Sequence, residues 1–376
     1  MRSGGLEEKT ILTILGPVRF SRSRYECPNC HASRYPGDEE LDVVGTTRSP
    51  GVRRMMARAG SRQTFKEARD DLRIYAGVEV SAKDVERVAE GIGEEMEVWQ
   101  ARQRDAFLAG DLVSPPSSPV PIMYIEMDGT GVPMTRQELA GRKGKQPDGT
   151  SRTREVKLGC VFTQTQKDEK GRPVRDPDST SCVGAIETAE AFGARIEAEA
   201  IRRGLHQARE VIVLGDGAVW IRGQVEHRFP QAKQIIDLFH AKEHVDNLVK
   251  LLFGPDEKKV MKYRLAWWTD LEAGAIEKII QAAKRKMPAN DTAKKKIECE
   301  INYIDENKER MRYAEFRKNG WFVGSGVIEA GCKSIIGARL KQSGMEWSLR
   351  GANAIISLRC TMLSERFEEF WEERVA

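Results

Sequence analysis

The hydrophobic rhythm of the chain changes twice. Residues 10–24 (TILTILGPVRFSRSR) alternate apolar and polar positions, which predicts two short strands. From residue 48 the spacing turns helical. Between Ser61 and Tyr75, Phe65, Ala68, Leu72 and Ile74 fall near one helix face. After a short break at 76–80, Ser81-Ala82-Lys83-Asp84 opens the next helix with a capping hydroxyl and an acid three residues on. Helix, glycine-containing turn and capped helix outline a helix-turn-helix, although any two-helix hairpin gives the same outline. Residues 109–121 (AGDLVSPPSSPVP) hold four prolines and three serines, which cannot run as a helix and predict a linker.

Beyond the linker the pattern becomes that of strands. Ile122 to Met127 reads as a buried strand ending at Asp128-Gly129, Arg154 to Thr165 as a second, and Ser181 to Gly184 as a third. A helix is expected over Ile186–Leu205. Val211–Leu214 is a fourth strand ending at Gly215-Asp216-Gly217, and Lys233–Asp237 a fifth. From 238 to about 320 the chain is helical and rich in charge. Gly324-Ser325-Gly326 then opens the helix holding Glu329. Alternating strands and helices predict an α/β fold with a mixed sheet and an all-α insertion, preceded by a helical domain.

Composition narrows the class. The chain has 376 residues, 40% hydrophobic and 31% charged, which fits a folded protein of more than one domain. No apolar run approaches the roughly 18–20 residues of a membrane span, and the first ten residues have no apolar segment of a signal peptide. Both absences point to the cytosol and away from a membrane partner. The seven cysteines are scattered, and only Cys27 and Cys30 are close in sequence, which fits reduced thiols. Cys27-Pro-Asn-Cys30 has the shape of a zinc knuckle, but two cysteines cannot close a four-ligand site. Packed or free thiols are the alternative. Cys160, Cys182, Cys332 and Cys360 read as small core residues.

The net charge of +4 says little, but its distribution says more. Eight basic residues face three acidic ones between Arg48 and Arg73, and seven face three between Arg136 and Lys157. Such local stripes suit phosphate, or are ordinary solvated faces.

Asp128 and Asp216 each follow an apolar strand and precede a glycine. An acid at the carboxyl edge of a buried strand points into a crevice, whereas a strand-ending Asp-Gly also serves to cap a turn. Glu329, near a helix start, is able to pack against the same edge. Carboxylates about 4 Å apart repel by on the order of 4 kcal/mol per pair at an effective dielectric near 20. Hard oxygen-binding cations, Mg²⁺ or Mn²⁺, reverse that sign, and two such ions support in-line phosphoryl displacement.

Several short pieces extend the pattern. They are Met127-Asp128-Gly129-Thr130, Arg154-Glu155-Val156-Lys157-Leu158-Gly159, Gly215-Asp216-Gly217-Ala218 with Trp220-Ile221, Asp237-Leu238-Phe239-His240-Ala241, Gly324-Ser325-Gly326 with Glu329, and Arg339 with Lys341, Gly344-Met345 and Trp347. In order and content the chain resembles bacterial insertion-sequence transposases of the Kra type, Asp-Asp-Glu transposases with a ribonuclease-H-like core. The resemblance implies that Asp128, Asp216 and Glu329 are the catalytic acids and hold two Mg²⁺ or Mn²⁺ ions. It implies a ribonuclease-H-like catalytic domain over 122–376 with an all-α insertion at about 241–320. It also implies a helix-turn-helix-like DNA-binding domain over 48–108 and a partial zinc-ribbon-like segment over 1–47. Relatives carry an earlier cysteine pair where this chain has only Cys27 and Cys30.

Implied partners are double-stranded DNA, as terminal inverted repeats and target, and a second copy of the chain on DNA, in a bacterial cytosol near the nucleoid. His240 suits contact with the scissile phosphate or a flipped base, or is a hydrogen-bonded histidine after a strand. Arg339 and Lys341 suit phosphate contacts. Trp347 suits base stacking or a place in the core. The competing functions are a non-catalytic DNA-binding relative and a nuclease that cuts without joining.

Overall fold

The computed structural model describes residues 1–112, 120–144, 146–147, 149–288 and 291–375. Most of the expected linker, residues 113–119, lies outside them. In chain order the principal elements are strands β1 (Arg2–Thr13) and β2 (Gly16–Glu26), then helices α1 (Pro50–Arg62), α2 (Phe65–Ala76) and α3 (Ala82–Ala109). Strands β3 (Val120–Pro133), β4 (Thr153–Gln164) and β5 (Ser181–Ala185) follow, then α4 (Ala189–Arg202), β6 (Ala208–Gly215), α5 (Val219–Arg228) and β7 (Lys233–Ile236). The rest is helical: α6 (Leu238–Phe253), α7 (Glu257–Glu272), α8 (Ile276–Lys284), α9 (Asp291–Asn307), α10 (Tyr313–Asn319), α11 (Gly326–Gly331), α12 (Leu349–Leu363) and α13 (Phe367–Val375).

Local chemistry explains the boundaries. The expected helix from Ser61 splits because Thr64 forms a capping box with Glu67, so α2 starts at Phe65 and Ser61 lies in the last turn of α1. Gly77 stops α2 at φ +63°, a conformation that glycine adopts without strain. Ser81 and Asp84 make the reciprocal cap expected at the head of α3. The first strands are longer than expected, since β1 and β2 form an extended and largely exposed hairpin.

The chain divides into two compact units, each discontinuous in sequence. The first comprises Met1–Arg102, Gly131–Arg154 and Lys333–Ala376. One of its cores joins α1, α2 and α3 through Val52, Met56, Leu72 and Val85. A second joins α3 with α12 and α13 through Ile92, Met96, Leu358, Phe367 and Trp371.

The second unit comprises Gln103–Thr130 and Glu155–Cys332 and contains the five-stranded mixed sheet, order β7-β6-β3-β4-β5. β6 is parallel to both β3 and β7, and β5 is antiparallel to β4. This order is compatible with a ribonuclease-H-like core. Alternation on β3 divides the packing. Met123, Ile125 and Met127 enter a core with Phe192 and Ile196 of α4 and Val225 of α5. Tyr124 belongs to a different core, shared with the helices between β7 and α11, which includes Val245, Trp267, Ile301 and Phe316. β3 does not end at Asp128, as the glycine after it suggested, but runs on to Pro133. Among the described residues no helix is long and apolar enough to cross a membrane.

Two glycines of α3 provide a test of the first unit's packing. A Cβ on Gly93 would intrude on the backbone carbonyl of Ala354 in α12, whereas one on Gly91 would meet nothing within 4 Å. Gly93→Ala is expected to destabilise the chain by about 1–3 kcal/mol through overpacking. Gly91→Ala should be neutral or stabilising by up to about 1 kcal/mol. Urea unfolding of both variants checks this, and equal stabilities would contradict the close approach.

Candidate active site

The site is built on one face of β3. Positions 124, 126 and 128 share that face because side chains alternate along a strand. Each meets a successive part of the segment that leads into and through α11. The Tyr124 hydroxyl accepts the Phe322 N–H at 3.2 Å and donates to Gln164 at 2.6 Å. Glu126 Oε2 accepts the Ile328 N–H at 2.7 Å. Asp128 Oδ2 accepts from the Cys332 thiol at 3.4 Å. Glu329 therefore follows directly on a residue bonded to the strand that carries Asp128. Its side chain is exposed.

Asp216 follows β6, the parallel neighbour of β3, and its Oδ1 accepts the Ala218 N–H at 2.8 Å. Gly217 adopts φ +80°, and a Cβ there would collide with the Tyr303 hydroxyl. Only glycine fits that turn without displacing Tyr303, whose hydroxyl donates to the Asp216 carbonyl at 2.9 Å. The Tyr303 ring stacks on His244 with centroids 3.7 Å apart, and His244 meets His240 edge-on at 5.0 Å.

Electrostatics record the proximity of these groups. Burial raises the Asp128 carboxyl above its ordinary range; the Cys332 and Gly129 hydrogen bonds act against the rise. The Asp216 charge raises it further, and His240 offsets part of the rise. Asp128, Asp216 and His240 thus stand in one electrostatic neighbourhood. Burial also pushes Glu126 up to about 8; the Ile328 hydrogen bond acts against this, and the charges of Asp237 and Glu329 add to it. Glu126 Oε1 has no hydrogen-bond partner.

Asp237 caps α6 by accepting the His240 N–H at 2.8 Å. Its other oxygen accepts the Ser325 N–H at 2.7 Å and the Ser325 hydroxyl at 3.0 Å. The His240 ring is partly exposed, with Nδ1 3.5 Å from Glu243.

The donor set is oxygen-rich, and the like-charge repulsion by which Asp216 raises the Asp128 carboxyl is one that a hard divalent cation relieves. The Asp128–Asp216 pair fits such an ion. Among the described residues no three His, Cys, Asp or Glu side chains form a group that could hold a metal, and the Glu329 side chain faces solvent.

Other expected positions lie elsewhere. Arg339 and Trp347 belong to the first unit, where Arg339 is fully buried between Phe65 and Trp347, 4.5 and 4.9 Å from the ring centroids. Its Nε donates to the Gly60 carbonyl at 2.9 Å, and burial lowers its pKa to about 10. Trp347 is buried and donates to the Leu340 carbonyl at 3.1 Å. Enclosure leaves no room for the expected phosphate contact at Arg339, and Trp347 takes the place in the core that was one of its two readings. Lys341 is exposed. Cys27 is half-buried and Cys30 exposed, and backbone N–H groups of Cys30 and Asn29 lower the Cys27 thiol pKa. Cys332, expected in the core, is instead partly exposed beside Asp128.

Sequence reasoning missed Glu126. An acid between apolar residues reads as an outward position, and nothing local shows that Ile328 lies over it.

Residues 196–373 match the model of an uncharacterised protein family, UPF0236. The matched stretch includes Asp216, His240 and Glu329 but not Asp128. No curated protein matches the chain. Among solved structures, the Drosophila P element transposase strand transfer complex is similar at 9% identity, over 88% of this chain and 84% of that one, with a TM-score of 0.27.

The Glu126 shift gives a signed prediction. Its folded pKa, about 8, lies above the ordinary 4.5, so between these values the folded chain holds the extra proton. The associated stability is fully present below pH 4.5 and is lost as pH rises through about 8. Relative to Glu126→Gln, the wild type should lose up to about 1.4 kcal/mol of unfolding free energy per pH unit within that window. Urea titrations at several pH values measure the difference, and a pH-independent difference would show that the carboxyl is not held protonated.

Proposed function

We propose that the chain is a metal-dependent DNA transposase that cuts and joins the ends of its element. The reading rests on the motif resemblance and on one observation above all. Asp128 and Asp216 sit on neighbouring parallel strands, and the turn before Glu329 is bonded to the same face of β3 that carries Asp128.

Asp128 and Asp216 are the residues that would hold divalent metal, and the Glu329 side chain, exposed here, would turn in to complete the set. Two bound Mg²⁺ or Mn²⁺ ions would supply Lewis-acid charge and an activated water or 3′-hydroxyl. The chain's own groups arrange the site. Tyr303 fixes the Asp216 backbone, the Ala218 N–H orients its carboxylate, and His240 lies within electrostatic reach of Asp128. A partly exposed histidine at that place suits a scissile phosphate.

DNA binding is assigned to the basic surfaces of the first unit. Five of the eight basic residues between 48 and 73 pair with carboxylates: Arg48, Arg53 and Arg54 each with its own, and Arg69 and Arg73 with Asp70 between them. The other three, Arg58, Arg62 and Lys66, are exposed, with Arg58 over the Phe367 ring. Arg136, Arg142 and Arg152 line a cavity of about 1060 Å³ together with Gln146, Thr150 and Ser151. Arginines and hydroxyls in one concave surface suit a phosphodiester backbone. Bringing two element ends together requires at least two copies of the chain on DNA.

The test is strand cleavage on duplexes carrying the sequences that flank the chain's own gene. The wild type should cut and join them with Mg²⁺. Asp128→Asn and Asp216→Asn should each lose several kcal/mol of transition-state stabilisation, about a thousandfold in rate, while gel-shift affinity for the same DNA stays. Cleavage unaffected by Asp128→Asn would refute the catalytic assignment. DNA binding without cleavage by the wild type would favour a non-catalytic relative, and cutting without joining a nuclease.

A further inference from the structure

We propose that Glu126 and Asp237 are positioning residues that together fix the turn carrying Glu329. The inference rests on the assignment of Glu329 to the active site. α11 is only six residues long, well below the length at which a helix holds itself. Its place comes from outside. Ile328 is in its first turn, where backbone N–H groups have no partner within the helix, and Glu126 Oε2 accepts that N–H. Three residues earlier, Asp237 Oδ2 takes both the backbone and the hydroxyl donors of Ser325.

Asp237 ties further elements to the same point. Its Oδ1 accepts the His240 N–H, and its own N–H donates to the Gly215 carbonyl at 2.9 Å, one residue before Asp216. One residue therefore connects the strand end before Asp216, the helix bearing His240 and the turn bearing Glu329. The next residue adds a backbone bond, Leu238 N–H to the Val323 carbonyl at 2.9 Å.

Stability alone does not account for an acid at position 126. Glu126 is 0% exposed with one oxygen unpartnered, an arrangement that costs folding free energy. An apolar side chain of similar volume would remove that cost and leave the Ile328 N–H as the one group newly without a partner. What leucine lacks there is an acceptor for Ile328. Asp237 is likewise buried, and the three hydrogen bonds that its carboxylate accepts go to the two segments named.

The experiment uses the full chain and three variants, Glu126→Leu, Glu126→Gln and Asp237→Asn. Amide hydrogen exchange is read at residues 325–331, together with Mn²⁺ titration and thermal unfolding. Glu126→Leu should change the unfolding temperature little, because the relieved carboxyl burial offsets the lost bond, yet speed exchange at Ile328 by about tenfold, the worth of one strong hydrogen bond, and weaken Mn²⁺ binding. Glu126→Gln retains an acceptor oxygen and should restore protection to within about threefold of wild type. Asp237→Asn, with one acceptor oxygen in place of two, should lose protection at Ser325 or at His240. Equal exchange at Ile328 in the Leu and Gln variants, or no change at Ser325 and His240 in Asp237→Asn, overturns the inference. The exchange pattern does not depend on cleavage. A wild type that never cuts DNA would count against the proposed function alone.

Discussion

The structure depends on how the sheet accommodates acids at one edge. Glu126 and Asp237 are buried, and Asp128 and Asp216 are half-buried, within one unit. Carboxylates so placed repel one another and lose hydration. The chain answers with aimed donors rather than with lysine or arginine. Backbone N–H groups of Gly129, Ala218, His240, Ser325 and Ile328 each point at one of the four carboxylates. The residual cost appears as raised pKa values at Asp128 and Glu126. A bound cation would remove much of it, which supports the proposal of a metal site at this edge.

The same donors explain how distant segments meet. Residues 320–332 are laid along β3 and β4 by side chains that reach up from the sheet. Gln164 holds the Gly320 carbonyl, Tyr124 the Phe322 N–H, Glu126 the Ile328 N–H and Asp128 the Cys332 thiol. Position along the strand thus sets position along the segment. Immediately after α11 the chain enters a π-helical turn, Cys332–Gly337, a distortion that recurs at functional sites.

Much of this was legible in the sequence, for identifiable reasons. The five strands of the mixed sheet are apolar runs bounded by turn residues, and all but β3 lie within a few residues of expectation. The strand β3 overran its expected end because Gly129 faces Glu155 across the sheet instead of making a turn. Asp128 and Asp216 were visible because each ends an apolar run. Glu126 was not, because its environment is made by a segment some 200 positions away. Arg339 misled for the opposite reason. A cation in a polar stretch reads as surface, whereas two aromatic rings and a carbonyl from elsewhere in the first unit enclose it. Basic stripes were counted without their partners, and the ion pairs of Arg48, Arg53 and Arg54 reach acids 36, 11 and 314 positions away.

The central claim is that carboxylates separated widely in sequence jointly bind divalent metal. Anomalous diffraction from crystals soaked in Mn²⁺ tests it most directly. The account predicts a Mn²⁺ peak between the carboxylates of Asp128 and Asp216, with the Glu329 side chain turned in to share it. Crystals that take up Mn²⁺ only elsewhere, with Asp128 and Asp216 unliganded and Glu329 still facing solvent, would contradict it.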